Sequence, residues 1–189
     1  MSDLQAREEL RRRRRRRMQL LPFIPSLLFG LAGAAWVLVW PPEFERSSSA
    51  LVIVLAGAAT AALLLGCAWL LERFSPSFRL GSQLTERALR RLRISPLQAF
   101  VLATVTATGE ELLFRGGLMQ LLGVWGQALV FGALHPISRG AWAYTVYTAV
   151  AGVVFGYGTL LTGSLWTPLI AHFLVNLHGL LSVAGGKRG

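Results

Sequence analysis

The chain has 189 residues, of which 53% are hydrophobic and 15% charged, and its mean hydropathy is +0.52. This composition excludes an average soluble protein and is typical of a multi-pass membrane protein. The net charge of +10 is concentrated in residues 11–17, all arginine, and in six arginines between positions 73 and 93. Because these clusters flank apolar stretches of bilayer length, we expect them to contact anionic lipid headgroups and do not expect nucleic-acid binding. The single cysteine, Cys67, is expected to be a small buried residue.

The first half of the chain predicts two membrane spans, at residues 20–40 and 50–71. A polar, proline-rich break at residues 41–49 separates them. The arginine clusters before the first span and after the second predict that both lie on the cytoplasmic side, because cytoplasmic loops are enriched in Lys and Arg. The chain would then be a multi-pass membrane protein with its N-terminus in the cytoplasm.

The basic connection at residues 72–96 contains a pattern that is typical of an amphipathic helix. Leu84, Ala88 and Leu92 are spaced by four residues, which predicts a narrow apolar stripe with arginines around it. That pattern suits a helix lying in the membrane interface. An ordinary solvated connecting helix is the alternative.

The second half predicts a third span that begins at Ser95 and Pro96, an N-cap followed by proline at the first helical position. Gly116 and Gly117 are expected to loosen the chain behind it. A further apolar segment runs to His135, and two spans follow at residues 141–161 and 165–183. The whole chain is therefore predicted to be an all-α membrane bundle of about six apolar segments, some of them short or re-entrant.

The predicted organisation has four parts. They are an arginine-rich cytoplasmic tail (1–17), two spans with a basic interfacial loop (18–95), a catalytic helical core (96–184) and a basic C-terminal tail (185–189).

Glu110 and Glu111 lie in strongly apolar sequence and are the only acidic residues after Glu86. A charged side chain at a membrane-helix centre costs about 2.5–3.5 kcal/mol on insertion scales, so it is rarely retained without a function. Arg115 follows Glu111 by four residues, which places the two on one helix face as an ion pair. Glu110 is rotated by about 100° and remains an acid that can take and return a proton. A structural charge network needs one acid for one arginine, so the second glutamate favours function.

Two further pairs have the same four-residue spacing. Phe131 and His135 share a helix face, so the ring can pack on the imidazole; a histidine beside a proline is more often a helix-end residue than a catalyst. His172 and Asn176 form a pair of N–H donors of the kind that a developing oxyanion requires, although hydrogen bonding between helices is the simpler role. His178 lies on a different face and is expected to be structural or interfacial.

Together these residues predict amide hydrolysis by an activated water: a carboxylate base, one histidine that shares the water, and a second histidine with an asparagine as donors. No serine or cysteine lies in a nucleophile motif, and the chain has no His-Glu-x-x-His helix. Two glutamates and two histidines could in principle hold a divalent metal, so a metal-dependent hydrolysis stays open, although no cofactor is predicted.

The ordered motifs Glu110-Glu111-x-x-x-Arg115, Phe131-x-x-x-His135 and His172-x-x-x-Asn176 resemble those of the CAAX-protease and bacteriocin-processing family of glutamic-type intramembrane proteases. The resemblance covers residues 96–184. It implies a helical membrane fold with a water-filled cavity, in which Glu110 and His135 activate water while His172 and Asn176 stabilise the oxyanion. Glu111, Arg115 and Phe131 would be supporting residues.

The resemblance also implies a membrane-anchored protein or peptide as substrate. The chain is shorter than the larger eukaryotic members, which weighs against prenylated substrates without deciding the point. Small bacterial members resemble proteases that process bacteriocin precursors or trim C-terminal sorting tails. The alternative is a non-catalytic immunity or scaffold protein that binds a peptide in the same cavity.

Overall fold

The computed structural model describes residues 23–44, 47–135 and 138–184, and within them the chain is helical with no strand. The predictions for the two terminal tails lie outside these residues. The helices are α1 (Phe23–Val39), α2 (Ala50–Phe74), α3 (Pro76–Leu92), α4 (Pro96–Glu111), a π-helix (Leu112–Leu118), α5 (Met119–Ala133), a 3₁₀ helix (Arg139–Ala141), α6 (Trp142–Thr162) and α7 (Trp166–Val183).

Four described stretches are long and apolar enough to cross a membrane, namely Ala50–Phe74, Pro96–Ala133, Arg139–Thr162 and Trp166–Val183, and α1 is a shorter apolar helix. Large hydrophobic side chains cover the outside of the bundle, including Leu38 at 84% exposure and Leu161 at 71%. Such a surface requires a lipid environment. The predicted multi-pass helical membrane bundle is confirmed.

The expectation for Cys67 is wrong, because this residue is exposed on α2. Helix α2 is apolar all round, so its sequence carries no amphipathic signal for the side that faces the bundle. Its buried residues are Gly57, Ala61 and Leu64, which lie on the side that packs on the other helices.

The basic connection forms α3, but its packed face differs from the predicted stripe. Phe78 and Gly81 are buried, whereas Leu84 and Ala88 are exposed. The ring of Phe78 lies 5.4 Å from that of Tyr144 in α6, and a Cβ on Gly81 would meet the same tyrosine. Leu84 and Ala88 therefore lie on a side of α3 that does not pack on Tyr144. The interfacial position of this helix stays a prediction.

The two ends of α6 mark opposite ends of the bundle. At its start, the backbone N–H of Ala143 donates to Ser77 Oγ of α3 over 3.2 Å. At its end, Ser48 donates its backbone N–H to the carbonyl of Thr162 over 3.0 Å. The basic helix α3 and the polar break after α1 thus lie at opposite ends of a 21-residue helix, as the predicted span pattern requires.

Helix α4 begins where the sequence predicts. Ser95 accepts from the N–H of Gln98, whose side chain accepts in return from the N–H of Ser95, so a capping box precedes Pro96. One turn of α4 crosses α1 very closely: a Cβ on Gly109 would strike the carbonyl of Ser26, and one on Gly33 would strike the backbone at Leu112 and Leu113.

Gly116 and Gly117 do not loosen the chain, which corrects the expectation for them. Both are buried in the π-helix. A Cβ on Gly116 would lie 2.7 Å from Val37 Cγ2, and one on Gly117 would lie 3.1 Å from Trp36 Cγ. Their missing side chains let α1 pack directly against the backbone of the π-helix.

The chain reverses direction at Gly123, where φ is 64° inside α5. A straight helix would separate Phe114 from Phe131 by about 25 Å, yet their ring centroids lie 5.0 Å apart. The segment after Gly123 therefore runs back along the π-helix, which brings His135, one turn after Phe131, to the level of Glu110, one turn before Phe114. If every segment after α4 crossed the membrane fully, these two residues would lie toward opposite faces; the reversal removes that separation.

Helices α5 and α6 pack antiparallel through small residues. A Cβ on Gly132 would lie 2.7 Å from Ala149 Cβ, one on Gly152 would lie 3.0 Å from Ala128 Cα, and one on Gly156 would lie 2.9 Å from Val124 Cγ1. Small residues at helix contacts allow close approach of backbones in membrane proteins. The close approach brings polar groups of α5 within reach of the backbone of α6.

Candidate active site

The two glutamates stand at the junction of α4 and the π-helix. Glu111 and Arg115 are almost fully buried, and Arg115 Nη1 lies 2.8 Å from Glu111 Oε1. The ion pair predicted from the four-residue spacing is therefore present. Single π-turns inside membrane helices often occur at functional sites, and this one carries Arg115.

Glu111 has a second partner that the sequence did not indicate. His172 Nδ1 of α7 lies 2.7 Å from the same Oε1. Because this oxygen also accepts a hydrogen bond from a guanidinium, Glu111 is a carboxylate, and the shared hydrogen must sit on Nδ1 of the imidazole. Nε2 of His172 then carries either a lone pair or a second hydrogen that would make the ring cationic.

Glu110 faces away from Arg115 Nη1 toward His172. Its Oε2 lies 3.7 Å from His172 Nε2, and its side chain is 13% exposed. This oxygen is buried and accepts no hydrogen bond from any described residue. Glu110 is thus the acid without a hydrogen-bond partner, as the helical geometry predicts, and the imidazole recorded beside it is that of His172.

His135 is half-buried at the end of α5. Its Nδ1 lies 2.8 Å from the carbonyl oxygen of Phe131, and the two rings are 4.7 Å apart, so the predicted ring contact is present. A carbonyl can only accept, so Nδ1 donates, and Nε2 of the neutral ring is left as an acceptor.

Phe131 is the residue at which the three motifs meet. Besides His135, its ring lies 5.9 Å from that of His172, and the guanidinium of Arg115 stands 4.7 Å above it. One buried phenyl ring therefore separates and orients the two histidines while it packs on the ion pair.

A family model described as Type II CAAX prenyl endopeptidase Rce1-like matches residues 93–178. This segment contains both glutamates, Arg115 and all three histidines of the chain. Residues 93–178 are therefore similar to the Rce1-like family. The family description is that of an endopeptidase, which supports peptide hydrolysis as the general chemistry of the site.

The chain is also similar to an uncharacterized protein, YpbD of Bacillus subtilis (strain 168). The two are 33% identical over 75 residues, which is 40% of this chain and 40% of that protein. The match thus spans less than half of this curated relative. No solved structure matches the chain significantly.

Asn176 lies one turn after His172 in α7 and is half-buried. Its carboxamide makes no hydrogen bond with the residues that the structure describes, so its donors are not engaged elsewhere in that part of the chain. His178 is exposed on another side of α7. Its expected interfacial position agrees with this exposure.

Three residues of the candidate site were missed in the sequence analysis. Phe155 of α6 stacks on the His172 imidazole at 5.3 Å with an interplanar angle of 20°. Arg115 Nη2 donates to the carbonyl of Gly152 over 3.2 Å, and Gln127 Nε2 donates to the same carbonyl over 2.9 Å. Only Gln127 carried a signal, as an amide within a predicted membrane helix; a phenylalanine and a glycine in such a helix carry none.

A metal site is a separate possibility for two glutamates and two histidines. Glu111 Oε1 is engaged by Arg115 and by His172 Nδ1, so the second carboxylate and the imidazole are bonded to each other. Throughout residues 23–44, 47–135 and 138–184, no group of three or more His, Cys, Asp or Glu side chains is arranged to hold a metal ion. The residues present do not form a metal-ligand set.

A cavity of about 570 Å³ lies at the end of the bundle that carries the break after α1. It is lined by Trp40, Glu43, Phe44, Arg115, Gly123 and Leu160, among others, but not by Glu110, His135 or His172. The cavity therefore meets the polar network from the Arg115 side and not at the proposed reacting groups.

Proposed function

We propose that this Rce1-like protein is an intramembrane endopeptidase that hydrolyses a peptide bond of a membrane-associated protein or peptide with a water activated by Glu110. The observation that carries the proposal is a buried carboxylate oxygen without a hydrogen-bond partner, 3.7 Å from an imidazole whose other nitrogen is held by a second carboxylate. A base needs a free lone pair in a site that fixes its neighbours, and Glu110 meets both requirements.

In the proposed reaction, Glu110 removes a proton from water while the water oxygen bonds to the carbonyl carbon of the substrate. The carbonyl oxygen becomes an oxyanion. When the C–N bond breaks, Glu110 returns the proton to the leaving amine. The sum is the addition of one water across the peptide bond, with the carboxylate unchanged at the end.

His172 and Asn176 are proposed to stabilise the oxyanion. With its Nδ1 hydrogen committed to Glu111 over 2.7 Å, His172 donates through Nε2 only as an imidazolium. A positive donor that is fixed before the reaction is worth more in a buried site than in water.

His135 is proposed to hold the attacking water with Glu110. Its Nδ1 donates to the Phe131 carbonyl, which directs the Nε2 lone pair outward as an acceptor for a water hydrogen. The chain reversal at Gly123 supports this pairing, because it returns the end of α5 to the level of Glu110.

The proposed location is a bacterial cytoplasmic membrane with the N-terminus in the cytoplasm. Helix α3 supports this orientation, since it presents exposed arginines such as Arg87 and Arg91 at one end of the bundle, where anionic headgroups would bind them. Proposed substrates are C-terminal sorting tails or bacteriocin-type precursors.

The test is mass spectrometry of the membrane proteome in cells that carry the wild-type protein or the Glu110→Gln variant. We expect at least one membrane protein to be shortened only with the wild type, and His178→Gln cells to match the wild type. Identical proteomes, with a biological phenotype that survives Glu110→Gln, would instead support a non-catalytic peptide-binding protein.

A further inference from the structure

Gln127 is a fully buried amide in α5, one turn before Phe131. Burial of an amide in an apolar environment is costly unless its groups are hydrogen-bonded. Its Nε2 donates to the carbonyls of Val124 over 3.0 Å and of Gly152 over 2.9 Å. Because both acceptors are carbonyl oxygens, they fix the orientation of the amide: the flipped rotamer would place Oε1 against two oxygens.

The carbonyl of Gly152 connects Gln127 to the proposed catalytic groups. It accepts from Gln127 Nε2 and also, over 3.2 Å, from Arg115 Nη2. Arg115 Nη1 in turn holds Glu111 Oε1 at 2.8 Å, and that oxygen holds His172 Nδ1 at 2.7 Å. An uninterrupted line of hydrogen bonds thus runs from Gln127 to the imidazole next to Glu110.

The helix packing is built around this amide. A Cβ on Gly156 would lie 3.1 Å from Gln127 Nε2, and one on Gly152 would lie 3.4 Å from the ring of Phe131. Glycine at both positions of α6 therefore allows Gln127 to reach a backbone carbonyl that would otherwise be covered.

We propose that Gln127 is a positioning residue for the proposed hydrolysis. It fixes the Gly152 carbonyl, which fixes the guanidinium of Arg115, and this sets the orientation of Glu111 and of the His172 imidazole. The expected effect of Gln127 on the cleavage rate rests on the proposed function. The expected effect of Gln127 on the orientation of His172 does not depend on that function.

If Gln127 only joined α5 to α6, its replacement would leave His172 unaffected. The experiment therefore observes the His172 imidazole directly. Gln127→Met keeps the size and removes the donor. In protein labelled with ¹⁵N at histidine, we expect the imidazole signals of His172 to shift and those of exposed His178 to stay. With a cleavable substrate, kcat should fall about 10-fold with KM nearly unchanged, because a small misplacement of a reacting group costs this order of rate.

A second variant covers the case in which Gln127→Met does not fold. Gln127→Glu places a carboxylate at the Gly152 carbonyl that Arg115 also contacts. This charge should draw the guanidinium from Glu111, so we expect a larger displacement of the His172 signals and a loss of kcat of about 100-fold. Thr159→Val is the matched control: it removes a fully buried hydroxyl of α6 that bonds only within its own helix, and it should leave the His172 signals in place.

Unmoved His172 signals in a folded Gln127 variant would overturn the positioning role, whatever happens to the rate. If the signals move but wild-type protein cleaves nothing, the proposed function fails and the link from Gln127 to His172 stands.

Discussion

Oε1 of Glu111 accepts hydrogen bonds from Arg115 Nη1 over 2.8 Å and from His172 Nδ1 over 2.7 Å. One buried carboxylate oxygen thereby joins the π-helix to α7. Glu111 and His172 are 61 residues apart in the sequence. The same group neutralises a buried guanidinium and fixes the tautomer of the imidazole. Stability of the bundle and orientation of the proposed oxyanion donor depend on one side chain.

The buried pair of Glu111 and Arg115 should contribute strongly to stability. Glu111→Gln and Arg115→Met are each expected to lower the free energy of unfolding by about 3–5 kcal/mol, because each leaves the other group buried without its counter-charge. The double variant should lose less than the sum of the two. Reversible unfolding in mixed micelles measures all three.

The exposed pair of Glu86 and Arg90 is the matched control, with the same four-residue spacing and side chains 41% and 48% exposed. Its Glu86→Gln and Arg90→Met changes should each cost about 0.5 kcal/mol or less. Equal effects at the two pairs would contradict the view that Glu111 has a special role in the bundle.

His172 and His178 offer a comparison within one helix. His172→Gln removes the imidazole that Glu111 and Phe155 hold, and the cleavage rate should fall by about 10²–10³-fold, as for loss of an oxyanion donor. His178→Gln changes an exposed residue and should keep the wild-type rate. Single-turnover cleavage of a substrate peptide in lipid vesicles gives both rates; a His172→Gln protein that cleaves normally would remove His172 from the mechanism.

The reversal at Gly123 predicts a difference between two glycines. Gly123 has φ of 64°, and Gly179 lies in α7 with open space around it. Gly123→Ala should lower the free energy of unfolding by about 1 kcal/mol or more, since alanine is strained at positive φ. Gly179→Ala should not lower it. Thermal unfolding in micelles distinguishes the two variants. Equal melting temperatures would show that the chain reversal at Gly123 does not require glycine.

Cleavage is expected to be insensitive to chelators. Glu111 Oε1 and His172 Nδ1 are bonded to each other, which leaves too few free donors for the metal-dependent alternative. Activity measured after dialysis against EDTA and 1,10-phenanthroline should equal that of untreated protein. A loss that added zinc or another divalent ion restores would support metal-dependent hydrolysis instead.

Contacts between residues three or four apart were predictable from the sequence. The ion pair of Glu111 with Arg115, the ring contact of Phe131 with His135 and the cap at Ser95 follow from helix geometry alone. Each depends on neighbours in one helix, so the rest of the fold hardly affects it.

Contacts between distant helices were not predictable in the same way. The bond of His172 to Glu111, the donation of Gln127 to Gly152 and the inward face of α3 depend on how closely helices approach. That approach is set by glycines such as Gly33, whose effect appears only when the facing helix is known. For a helix that is apolar on all sides, the sequence pattern carries no information about the inward face.

The most direct test of the proposed role of Glu110 compares Glu110→Gln with wild type in lipid vesicles, by cleavage rate and by free energy of unfolding. The buried Oε2 of Glu110 has no hydrogen-bond partner among the described residues, so its replacement should leave stability equal or higher. The cleavage rate should fall by about 10³-fold. Full turnover by the folded Glu110→Gln protein would contradict a general-base role for Glu110.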